Sequence, residues 1–167
     1  MRQYFQFAIL LISLVIYSCD YAGQGLEIYL VKHDFPNFTN EKRADCYYCF
    51  SPIKNDLFDK PLLVESDIQY FEWTNQQIKL TDVGLDKIKK LDIPLQGLAA
   101  AIVVDGQPVY GFWFWNIISS FGCDRVFTYP TLDFKIAFGL PSDNTKGEDP
   151  RFDSKLREYL TKSGLIK

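Results

Sequence analysis

Residues 98–115, LAAAIVVDGQPVYGFWFW, constrain the fold of this chain more than any other stretch. An unbroken apolar run from Leu98 to Val104 leads into Asp105-Gly106, and an aromatic-rich arm follows. Asp-Gly between two apolar runs signals a tight hairpin, because glycine tolerates positive φ and the primed turn matches the twist of paired strands. The first arm holds no polar residue, so it reads as a central strand buried on both faces. In the second arm Tyr110, Phe112 and Phe114 fall on one face, and Gly111, Trp113 and Trp115 on the other.

Around that hairpin the rest of the chain reads as one domain. The 167 residues leave room for no more. A hydrophobic share of 47% fills a core and argues against disorder. The net charge of −3 has no cluster of Lys and Arg behind it, which excludes a nucleic-acid partner held by phosphate neutralisation.

Residues 26–31 (LEIYLV) predict a first strand, followed by a polar loop over 33–45. Residues 68–73 and 78–80 predict two paired strands. Thr81 is a good N-cap for an amphipathic helix over 82–91, ended by Pro94. Residues 116–124 read as a loop, 125–128 and 132–138 as two further strands, and 141–150 as a polar loop. Phe152, Leu156 and Leu160 at i, i+4, i+8 give a C-terminal helix over 151–160. The expected fold is α+β: a mainly antiparallel sheet of five or six strands, with both helices on one face.

The N-terminus is set apart from this domain. One Arg precedes an apolar run over 7–16, of signal-peptide length. The next residues, Ile16-Tyr17-Ser18-Cys19, resemble the bacterial lipobox, with Tyr17 departing from its usual middle residue. The resemblance implies cleavage after residue 18 and lipid on Cys19, leaving 19–25 as a tether and 26–167 as the domain. It implies a cell-envelope address, on the periplasmic or outer-membrane side, with the membrane as partner through the lipid anchor. The chain as a whole resembles the small lipoproteins common in Bacteroides-like bacteria.

A second resemblance covers 78–109. Thr81 and Gly84 followed by Ala101, Ile102, Val103, Asp105 and Gly106 are similar to the head of the first periplasmic domain of SecD-type translocation subunits. That family has a Thr-x-x-Gly helix before an Ala-Ile-Val-x-Asp-Gly hairpin. No translocase membrane helices accompany the match, so the motor function is not carried over.

For chemistry, Cys46-Tyr47-Tyr48-Cys49 could be a redox dithiol, half a zinc site or a structural thiol pair. Polar loop and Pro52 bracket it, unlike a thioredoxin motif, and only Cys123 and His33 remain as further metal ligands. A structural disulfide or inert thiols are preferred, the disulfide option pairing one of Cys46 and Cys49 with Cys123 and leaving an odd thiol. The one histidine, His33, has no nucleophile motif around it, so catalysis is not expected. A hydrolase built on Glu65, Asp67 and Glu72 is the enzymatic alternative. No cofactor and no metal are expected.

The favoured reading is a non-catalytic binding or protein-interaction module. Its candidate surface is Tyr110, Trp113, Trp115 and Phe121, which could stack on a glycan or take the anchors of an envelope protein. That surface requires Trp113 and Trp115 to be partly exposed. The other alternative is a protective, immunity-type lipoprotein.

Overall fold

The Asp105-Gly106 turn forms as its chemistry requires. Both residues have positive φ, +49° and +72°, and they join β4 (Leu98–Val104) to β5 (Gln107–Phe114) in an antiparallel pair. The computed structural model describes residues 23–32 and 46–167. The segment 1–18, Cys19, residues 20–22 of the tether and the loop over 33–45 with His33 lie outside the described residues.

The remaining elements are β1 (Leu26–Leu30), β2 (Ile68–Glu72), β3 (Gln77–Leu80), α1 (Asp82–Lys89), β6 (Cys123–Thr128), β7 (Ile136–Leu140) and α2 (Ser154–Ser163). The main sheet has the order β1-β4-β5-β6-β7, and β2 and β3 form a separate antiparallel ribbon. The domain is therefore α+β, with two α-helices among the described residues, as the hydrophobic pattern indicates. The sheet is mixed: β5 and β6 run parallel, while the other three pairings are antiparallel. A parallel neighbour needs a crossover, and here 115–122 supplies it without a helix.

Local signals explain most boundaries. Thr81 Oγ1 accepts the Gly84 amide at 3.2 Å and caps α1. Gly84 is required by packing, since a Cβ there would lie 2.6 Å from the Asp67 carbonyl oxygen. Asp153 Oδ1 accepts the amides of Lys155 and Leu156 and caps α2, which ends at Gly164 with φ +75°. The C-terminal helix therefore begins after a 3-10 turn at Pro150–Phe152 and not at 151. Strand β6 begins earlier than expected, at Cys123. Strand β7 begins later, because 131–133 form a turn and Phe134 has φ +46°.

The sheet is covered on both faces. On one, Ala100, Ile102, Tyr110, Phe112 and Phe114 pack with Ile88 of α1, Leu156 and Leu160 of α2, and Phe71 and Ile78 of the ribbon. On the other, Ala99, Ala101, Val103, Trp113, Trp115 and Phe127 pack with Tyr48 and Leu57, contributed by a segment without helix or long strand. This double burial is why β4 carries no polar side chain. Small residues sit beside large ones: Ala99 pairs with Trp113, and Gly111 leaves the space that the Phe50 ring fills.

Candidate functional site

The aromatic arm is core. Trp113 and Trp115 are each 1% exposed and Tyr110 is 4% exposed, so three of the four residues expected on a binding face are buried. The Tyr48 ring meets Trp113 and Trp115 edge-on at 5.2 and 5.1 Å between centroids, and Trp113 Nε1 donates to the Tyr48 carbonyl at 2.9 Å. The alternation in β5 is real, but a second layer covers the face that it presents. Phe121 alone of the four is exposed.

That second layer is held by the cysteine motif. Cys46 and Cys49 form a disulfide with each other, and Cys123 is a free buried thiol, so the expected bridge to Cys123 is corrected. The buried Asp124 carboxylate accepts the amides of Tyr47 at 2.7 Å and Tyr48 at 3.0 Å, satisfying the loop that the disulfide closes. Burial pushes the Cys123 thiol up to about 12, far from a reactive thiolate. Among the described residues no three of His, Cys, Asp and Glu are grouped as a metal site.

The three acids considered for hydrolysis are each committed to a separate structural bond. Glu65 Oε2 accepts the Leu26 amide at 3.0 Å and the Tyr159 hydroxyl. Burial, and then this carboxylate, raise the Tyr159 hydroxyl above its ordinary value. Asp67 pairs with Lys87 Nζ at 2.6 Å and accepts the Val64 amide, while Glu72 accepts from Asn75 Nδ2 at 2.7 Å.

What the fold does present is a set of apolar side chains on two adjoining loops. Leu95 lies before β4, and Ile117, Ile118 and Phe121 lie in the crossover after β5; all four are exposed, Ile118 to 79%. The loops are bonded to each other. Asn116 Nδ2 donates to the Ile93 carbonyl at 2.6 Å, and Ser119 Oγ to the Leu95 carbonyl at 2.5 Å. Ser119 Oγ also accepts the Phe121 amide at 3.2 Å. Single exposed apolar residues are ordinary on a protein surface; these four lie on a pair of loops bonded to each other.

The place of these loops is fixed by topology. They sit at the start of β4, whereas the described chain begins at its other end. Gly25 N donates to Asp105 Oδ1 at 3.0 Å, and its carbonyl accepts the Asp105 amide, so Gly23–Gly25 is fastened to the hairpin turn. Seven residues of strand, roughly 20–24 Å, separate the two ends. The sequence marks Leu95, Ile117 and Ile118 only faintly, by a pair of isoleucines inside an Asn- and Ser-containing loop. The chain matches no known family model, no curated protein and no solved structure.

Proposed function

We propose that this is a lipid-anchored cell-envelope protein that binds a protein partner through Leu95, Ile117, Ile118 and Phe121 and does not act by catalysis. The observation that carries the reading is the fixed display of four apolar side chains at the sheet end opposite Gly23. A chain tethered through Cys19 would hold that display away from the membrane. The apolar run over 7–16 and the Ser18-Cys19 pair that follows it support the anchor. Burying a side chain of this size contributes roughly 1.5–3 kcal/mol, so two or three of them can anchor an interface.

Two measurements test the reading. Intact mass of the protein extracted from membranes should equal residues 19–167 plus acyl chains, and the acyl mass should be missing from Cys19→Ala. A photo-crosslinker at position 118 should trap one discrete protein in the native host, while the same group at Lys155 on α2 traps none. The reading fails if the crosslinked product is unchanged by Ile117→Asp, or if no product forms.

A further inference from the structure

A hollow of about 490 Å³ lies between β1 and the segment that follows the 3-10 turn Lys54–Asp56. Tyr29, Leu57 and Val103 are among its apolar lining, and Lys32 and Lys54 line it as well. A second hollow, about 470 Å³, is lined by the same Phe58 and Asp59 together with Leu30, Lys60 and Leu62. Both fall in the range of roughly 300–1,000 Å³ usual for ligand sites.

Phe58 and Asp59 line both hollows. The Phe58 ring is half exposed, but its backbone is held firmly: Phe58 N donates to the Leu30 carbonyl at 3.1 Å, and Lys32 N to the Asp56 carbonyl at 2.7 Å. The Tyr29 hydroxyl donates to the buried Glu27 carboxylate at 3.4 Å, which fixes that ring in the first hollow. Asp59 is paired with Lys32 at 3.2 Å, while Lys54, and Lys60 in the second hollow, have no acidic partner among the described residues. The rim of the two hollows therefore carries two positive charges without a carboxylate partner among the described residues.

An aromatic ring that lines two hollows, with Asn55, Asp59 and three lysines around it, suits a ligand that is apolar on its flat face and polar at its edge. A wholly apolar ligand would leave those polar groups desolvated without partners. A nucleic acid would need more cations than the rim supplies. We propose that the two hollows form one groove for a short oligosaccharide that bears a carboxylate. One sugar ring stacks on Phe58, and its carboxylate pairs with Lys54. This site is separate from the loop surface at the far end of β4 and does not rest on it.

Calorimetric titration of the whole protein in detergent tests the groove, with a hyaluronan tetrasaccharide as the acidic probe and chitotetraose as the neutral one. The acidic sugar should bind roughly tenfold tighter, and Lys54→Met should remove that difference. Phe58→Ala should weaken both by roughly tenfold or more while the melting temperature stays unchanged, as expected for a half-exposed ring. Ile118→Asp should leave sugar binding intact. The proposal is overturned if neither sugar binds, if the two bind equally, or if Phe58→Ala binds as the native chain does.

Discussion

Gly97 lies against the indole of Trp115: a Cβ on residue 97 would come within 2.8 Å of Cζ3 and 2.9 Å of Cε3. The backbone there has φ +88°, a conformation that side chains other than glycine rarely adopt. Because Trp115 is fully buried against Tyr48, the ring has nowhere to move. Gly97→Ala should therefore cost about 2–4 kcal/mol, the sum of backbone strain and overpacking. Urea denaturation measures this directly, and a loss under about 0.5 kcal/mol would mean that the ring is not held as described.

Cys123 should behave as an inert thiol. It is buried, and its raised pKa of about 12 leaves almost no thiolate near neutral pH. In a Cys19→Ser chain, a thiol-reactive dye should label the native protein only as fast as it opens, and label it quickly in denaturant. Rapid labelling of the native form would contradict this burial.

The legible part of this fold was local. The Asp105-Gly106 turn, the Thr81 cap, the paired strands over 68–80 and the C-terminal helix each depend on neighbours in sequence, and the pattern shows them. The fate of Trp113 and Trp115 was not legible, because alternation reveals that a face exists but not what covers it. The cover comes from the segment carrying Tyr48, Phe50 and Leu57, which has neither helical nor strand periodicity. The parallel pairing of β5 with β6 depends on the same kind of distant packing. Phe58 and Ile118 were hidden for a related reason: apolar residues in polar loops look the same in sequence whether they turn in or out.

Asp124 and the Cys46–Cys49 disulfide act on one loop, so their effects should not add. Closing so short a loop contributes about 2 kcal/mol in the chain-entropy view. Asp124→Ala leaves the Tyr47 and Tyr48 amides without their acceptor, at a cost on the order of 2–4 kcal/mol. Once the disulfide is removed by Cys46→Ser and Cys49→Ser, that loop can reach water, and Asp124→Ala should cost less. A double-mutant cycle in urea should show a coupling of roughly 0.5–3 kcal/mol. Strict additivity would place the two devices in independent parts of the fold.

Two carboxylates should give opposite pH dependences. Burial raises Glu27 above its ordinary 4.5, more than the Gly23 amide and the Tyr29 hydroxyl lower it. Its folded form therefore prefers the proton. The stabilisation is fully present below the unfolded pKa and is lost as pH rises through the raised folded value. Burial also pushes Asp149 up, but the hydrogen bonds and charge of Arg151 outweigh it and hold the carboxyl below its ordinary 3.8. That group contributes stability above its unfolded pKa and loses it as pH falls through the lowered folded value. Glu27→Gln, which keeps an oxygen for the Gly23 amide, should gain on the native protein as pH rises from about 3 to 7. Asp149→Asn should fall behind over the same range. Denaturation of both variants at several pH values decides the matter: slopes of equal sign would show that one of these two environments is wrongly assigned.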